Sequence, residues 1–214
     1  MSAAIAALPL LWAGLITTVL ISLAVIACST ICGIIGGLGL TYGPRALRWP
    51  LRLYIDIIRG IPLLVLIFIV YYGLPALGAN LPAVPTAILA LSLFKTAQVT
   101  EVVRAALEGI PRGQHDAGKA MGLSIPQRFF LVLLPQATRH ALPPWVNLVA
   151  DTVKDTTLLS LLGIVDLMLS IQQVIGRTYD AMPVYLLGIG IYFSVNYALS
   201  TLSRALEARL ARAY

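Results

Sequence analysis

No charged side chain occurs between Met1 and Pro44. A run of that length has no place in the core of a soluble protein, whose buried helices are far shorter. A bilayer core takes about 20 apolar residues per helix, so lipid is the solvent this segment fits. The rest of the chain agrees: of its 214 residues 59% are hydrophobic and 11% charged, where a soluble domain carries about a quarter charged. The apolar runs are continuous and do not alternate, which excludes a transmembrane barrel. The expected class is therefore an all-α polytopic membrane protein. The N-terminus lacks a basic leader and outruns the apolar core of a signal peptide, so it reads as a retained first span. A net charge of +6, with the basic residues set between hydrophobic runs, fits anionic lipid or an acidic partner and not nucleic acid.

Five spans are expected. The first covers about 10–40 and ends at Thr41-Tyr42-Gly43-Pro44, a turn and helix-start signal. Arg45, Arg48 and Arg52 then recur at spacings of three and four, one face of a short amphipathic helix at the interface. The second span runs from Arg59-Gly60-Ile61-Pro62 to about Leu77, with Tyr71 and Tyr72 as an aromatic belt. The third covers about 83–107. A polar segment, 108–128, separates it from a fourth hydrophobic region at about 139–165, which Asp151–Thr157 interrupts. Residues 166–182 read as an amphipathic surface or re-entrant helix with Leu167, Ile171, Val174 and Ile175 on one side. The last span covers about 183–206.

Basic residues orient these spans. Arg45, Arg48, Arg52 and Arg59 form one group. Arg104, Arg112, Lys119, Arg128 and Arg139 form a second, and Arg204, Arg209 and Arg212 a third. The opposite set of segments carries only Arg177. The positive-inside rule then puts the N-terminus outside and the C-terminus in the cytoplasm. Cys28 and Cys32, four apart in the first span, read as small buried packing residues in a stripe with Ala24 and Gly36, and not as a thiol pair or metal ligands. Gly33 and Gly37 add a second small pair, of the kind that lets helices approach closely in lipid. No metal site is expected.

The segment 112–135 is the most informative. Gly113 suits a turn before a short helix, Gln114–Met121 is helix-compatible, and Gly122 fits the left-handed residue that closes a helix. Ser124 and Gln127 form a capping-box pattern, with Pro126 in the first turn of the helix that follows. Helix, glycine turn and helix make a compact protrusion, with Ala117, Ala120 and Met121 as apolar contacts and His115 and Lys119 at its rim.

Asp116, Ala117, Gly118, Gly122, Val132, Leu134 and Pro135 fall at the positions of the loop that marks prokaryotic ABC importer permeases. There an acidic residue and two small ones precede a glycine by four, and a hydrophobic-x-Leu-Pro ending follows. Asp stands here for Glu and Gly118 for a second Ala, a change that loosens a helix by about 1 kcal/mol. Arg59-Gly60-Ile61-Pro62, Glu101-Val102-Val103-Arg104, Ile110-Pro111-Arg112-Gly113-Gln114 and Lys154-Asp155-Thr156-Thr157 resemble the polar amino acid uptake family, and the segment around Lys95 its glutamate/aspartate permeases. The resemblance implies a type I transmembrane fold as one domain over 1–214, with its core at about 14–204. It also implies two ATPase subunits in the complex, with the coupling loop of this chain, through Arg112, Gly113, Asp116, Ala117, Gly118, Gly122 and Pro135, seated in a groove of the ATPase. A second permease subunit, identical or related, and a periplasmic amino-acid-binding protein would complete the complex in a bacterial inner membrane. ATP would be bound by the partner, since the chain has no G-x-x-x-x-G-K-[ST] of its own; no cofactor and no catalytic role are expected of this chain.

Charged residues in spans are costly and so usually face protein or water. Lys95 and Gln98 in the third span, and Asp151, Lys154 and Asp155 in the fourth, are the candidates for a substrate pathway. The competing expectation is an ion pair of Lys95 with Asp151 or Asp155. Lys95 in a cavity would favour an acidic amino acid; a glutamine-like substrate, or another small polar solute such as an opine or cystine, stays open. The rivals outside the family are a stand-alone secondary transporter or channel and a non-transporting membrane anchor.

Overall fold

The computed structural model describes the backbone of residues 2–212 and the side chains of residues 8–202, 204 and 205. Arg209 and Arg212, read above as cytoplasmic charges, have side chains outside that set. Among the described residues the regular structure is all helical. Helix α1 spans Ser2–Tyr42, α2 Arg45–Gly60, α3 Leu63–Ala76, α4 Ala83–Glu108, α5 Arg112–Ala120 and α6 Ile125–Arg128. A π-helical turn, Phe129–Leu133, leads into α7, Leu134–Asp155. A 3₁₀ segment, Thr156–Leu162, then precedes α8, Leu167–Thr178, and α9, Ala181–Arg212. Three stretches are long and apolar enough to cross a bilayer alone: 8–42, 83–108 and 181–202. Two bent pairs, α2 with α3 at 108° and 125–162 with α8 at 52°, raise the number to as many as five.

Two boundaries differ from the sequence reading. The start of the second span, read at Arg59-Gly60-Ile61-Pro62, falls at the end of that segment, with Pro62 capping α3, while Arg59 and Gly60 close α2. Ile61 is extended (φ −98°, ψ 133°) ahead of Pro62, the conformation that a following proline imposes, and the chain turns sharply there. Helix α3 alone, 14 residues, is about 21 Å long at 1.5 Å per residue and falls short of a hydrocarbon core. The fourth region begins earlier, at Leu134, and stays α-helical to Asp155. There it tightens into the 3₁₀ segment, where the hydroxyls of Thr156, Thr157 and Ser160 donate to the carbonyls of Val153, Lys154 and Thr157. Such back-bonding competes with the helix ladder, and Gly163 (φ 76°) closes the 3₁₀ segment.

Helix α4 is the axis of the bundle, packing against α1, α2, α3 and α7. Its approach to α1 depends on glycine. A Cβ at Gly33 would stand 2.5 Å from Val99, and one at Gly37 2.6 Å from Val103. The buried face of α1 is thus Ser22, Val25, Ser29, Gly33, Gly36 and Gly37. Cys28 and Cys32 are free thiols on the exposed face, which corrects their reading as buried packing residues. The small-residue stripe that meets another helix is the neighbouring one, rotated away from them. Gly37→Leu is expected to push α1 off α4 at a cost of about 1–3 kcal/mol, the usual range for overpacking. Gly73→Ala, where a Cβ would meet nothing within 4 Å, should change little. The surviving monodisperse fraction after heating in detergent compares the two.

Helix α8 buries Leu167, Ile171 and Val174 against Leu11 of α1 and Val184 of α9, the side the amphipathic pattern marks. Its N-cap Asp166 accepts the Leu169 amide at 2.8 Å. At the other end of the bundle, Tyr42 closes α1 with an edge-on ring contact to Phe129. The basic helix α2, the end of α4 and the α5–α6 hairpin therefore share one end. The start of α1 and the start of α9 share the other.

Candidate functional site

The hairpin is built by its caps. Helix α5 starts directly after Pro111, so Gly113 lies inside its first turn and makes no turn of its own. Proline at the preceding position does that work, by holding φ at −55°. At the other end Gly122 adopts φ 73°. Its amide donates to the Lys119 carbonyl at 3.0 Å, and Leu123 donates to Gly118 at 3.1 Å. This paired pattern is the Schellman motif. Ser124 Oγ then accepts the Gln127 amide at 3.4 Å and Gln127 Oε1 accepts the Ser124 amide at 2.9 Å, completing the expected capping box.

One contact closes the hairpin on itself, and another ties it to α7. Gly118 is buried, and a Cβ there would stand 2.9 Å from Cγ of Arg128. Glycine in place of the usual alanine thus lets α5 lie directly on the Arg128 stem. Gln136, in the first turn of α7 beside the half-buried Pro135, donates to Gln114 Oε1 at 3.2 Å and to the Val132 carbonyl at 2.8 Å. The outer side stays open. Arg112, Asp116 and Ala117 are exposed, and Met121 and Ile125 are 76% and 74% exposed on an otherwise polar segment. An apolar tip of this kind marks a docking surface. Ile125, the packing of Arg128 under Gly118 and the Gln114–Gln136 bond were not singled out from the sequence. Ile125 had a signal, an apolar residue inside a capping motif, but the contacts of Arg128 and Gln136 come only with the fold.

The charged residues in the spans divide into three groups. Lys95, 2% exposed at the middle of α4, places Nζ 2.6 Å from Oδ2 of Asp155, the last residue of α7. Asp151 pairs instead with Lys154, one turn on, at 2.7 Å on a partly exposed face. That pair lines an open groove of about 630 Å³ between α7 and α9, together with Asn147, Tyr192 and Asn196. Near the basic end, Glu101 of α4 accepts two hydrogen bonds from Arg104, at 2.7 and 3.1 Å. Arg52 and Arg59 of α2 approach it at 3.7 and 3.8 Å, and Arg104 also pairs with Glu108. Gln98, Arg59, Glu101 and His140 line a second groove of about 510 Å³ between α4 and α7. The Oε1 atom of Gln98 is buried without a hydrogen-bond partner among the described residues. The five pathway candidates therefore do not converge on one cavity. Lys95 lines a void of about 10 Å³.

The family described as binding-protein-dependent transport system inner membrane component matches residues 29–212. The chain belongs to that family. Among its relatives are two Bacillus subtilis proteins. One, the probable amino-acid ABC transporter permease YckA, is 33% identical over 97% of this chain and 92% of its own. The other, the probable glutamine ABC transporter permease GlnP, is 34% identical over 94% of each. A crystal structure of an amino acid ABC transporter with histidines superimposes with a TM-score of 0.88, at 28% identity over 94% of each chain. The protein thus has the type I ABC transporter permease fold and is a membrane-embedded transport component, not an enzyme.

Proposed function

We propose that this permease is the translocating subunit of an ATP-driven importer for a polar amino acid of the glutamine or glutamate/aspartate kind. The observation that carries the reading is the hairpin: a doubly capped, rigid protrusion with an apolar tip, at the position where the family's coupling loop falls. The complex would hold two ATPase subunits, one of them seated on this tip through Arg112, Gly113, Asp116, Ala117, Gly118 and Gly122, with Pro135 starting the helix behind it. They would bind the ATP, while this chain holds no cofactor. A second permease subunit and a periplasmic binding protein complete the complex. Five spans result when each bent pair counts as one, and they set the N-terminus outside and the hairpin in the cytoplasm of a bacterial inner membrane. One domain covers 1–214, its core at about 14–204 and the coupling loop at 112–135. The gathering of basic residues at the hairpin end supports that orientation.

The substrate path is best supported along the grooves on either side of α7. Asp151 and Lys154 line one and Gln98 the other. The ion pair leaves Lys95 without a spare charge for a second carboxylate. Glutamine-type cargo therefore rests on the named relatives, and acidic cargo on movement that frees Lys95 from Asp155. Uptake of labelled glutamine, glutamate and cystine by the reconstituted complex decides among them. ATP-dependent uptake of one, blocked when the ATPase is omitted, is the expected result. Uptake driven by an ion gradient without the ATPase would overturn the importer reading.

A further inference from the structure

Helix α2 has three faces, and the fold accounts for only two of them. Ile55 and Ile58 are buried, packed with Leu51 against the bundle. Arg45, Arg48, Arg52 and Arg59 form a ridge beside them, interrupted only by Asp56. Trp49, 73% exposed, projects outward with Leu53 and Ile57. The 108° bend to α3 lays α2 across the end of the bundle, so the outward apolar face meets the edge of the hydrocarbon and the ridge lies at headgroup depth.

The ridge has unused donors. Arg45 makes no ion pair among the described residues, and Arg48 spends its Nε on the Gly43 carbonyl at 2.6 Å. Arg52 and Arg59 stand at 3.7 and 3.8 Å from a carboxylate that Arg104 already holds more closely, and their side chains are half exposed. Four guanidiniums in this row carry far more positive charge than Asp56 and a share of Glu101 neutralise. Guanidinium forks match phosphate oxygens two at a time, and tryptophan favours the interface.

We infer that α2 is a binding surface for anionic phospholipid, with Arg45 and Arg48 holding a headgroup phosphate and Trp49 and Leu53 seated against its acyl chains. Each basic residue near an anionic surface contributes a preference of about fivefold. The surface is part of this chain alone, and the inference needs only that the chain sits in a membrane.

Lipid retention tests it without transport, ATP or substrate, so its failure would leave the importer reading standing. The full chain, purified in detergent with its bound subunits, is incubated with equal amounts of dioleoyl phosphatidylglycerol and dioleoyl phosphatidylcholine. Retained lipid is then measured by mass spectrometry. The expected result is several-fold enrichment of phosphatidylglycerol, lost in Arg45→Gln/Arg48→Gln and reduced but still present in Arg45→Lys/Arg48→Lys, which keeps the charge without the fork. Should the glutamine variant fail to fold, the wild-type enrichment must still fall as salt is raised. Equal retention of the two lipids, or enrichment indifferent to both salt and substitution, would overturn the inference. So would complete displacement by inorganic phosphate, which would mark a soluble-phosphate site. Equal retention together with an acidic subunit seated on α2 would give the face to a protein.

Discussion

Asp155→Ala is expected to be among the most destabilising single substitutions in the bundle, at about 3–5 kcal/mol. It leaves the Lys95 ammonium, 2% exposed, with no counter-charge at the middle of α4. Removing the charge at either end is not equivalent. Asp155 retains some exposure and adjoins the turn into the 3₁₀ segment, where water and backbone donors soften the loss, so Lys95→Met should cost less. The double variant Lys95→Met/Asp155→Leu should regain most of the stability, because a buried pair replaced by apolar residues is often near neutral. Thermal unfolding of the four proteins in detergent measures this. A stable Asp155→Ala protein would show that the carboxylate does not hold Lys95. The double variant also separates two roles: if it folds but ATP-driven uptake falls away, the pair opens and closes during transport, and if uptake survives, the pair only ties α4 to α7.

That pair shows where sequence reasoning reaches and where it stops. A charge in an apolar run demands a partner, so the existence of a counter-ion for Lys95 was legible, and Asp151 and Asp155 were the two candidates. Choosing between them needs the axial register of α7 against α4, which decides the turn that comes level with Lys95. Asp151 and Asp155 are four apart and lie one turn from each other on the same side, and only the packing against α4 shows that Asp155 reaches the lysine. Cys28 and Cys32 illustrate the same limit. Small residues recur on two adjacent stripes of α1, and hydropathy in a membrane does not say which stripe meets protein and which meets lipid. The helices themselves were easy to read, since lipid leaves the backbone only helices or a closed barrel and continuous apolar runs exclude the barrel. Where they break was harder. Ile61-Pro62 does start a helix, but the sharp corner that α2 and α3 make there is not legible, because proline marks a helix start and a corner alike.

The hairpin was the most legible part, since its residues act through local chemistry. Caps and left-handed glycines depend on a few neighbours and little on the rest of the fold. The geometry refines what Gly122→Asp should do. Gly122 has φ 73° and open space around it, and aspartate tolerates the left-handed region better than most residues. The turn should therefore survive with a loss of about 1 kcal/mol, and the protein should reach the membrane at its normal level. The damage falls on docking instead. A carboxylate placed between the exposed Met121 and Ile125 would be buried unpaired when a partner covers the tip, which costs several kcal/mol or about a hundredfold or more in affinity. ATP-driven uptake should thus be abolished with the permease intact. Gly122→Asn supplies the contrast: the same backbone preference without the charge, and most of the uptake retained. Co-purification of the ATPase reads the same effect directly. Equal loss in both variants would place the fault in the turn, and normal uptake by Gly122→Asp would remove this tip from the coupling surface.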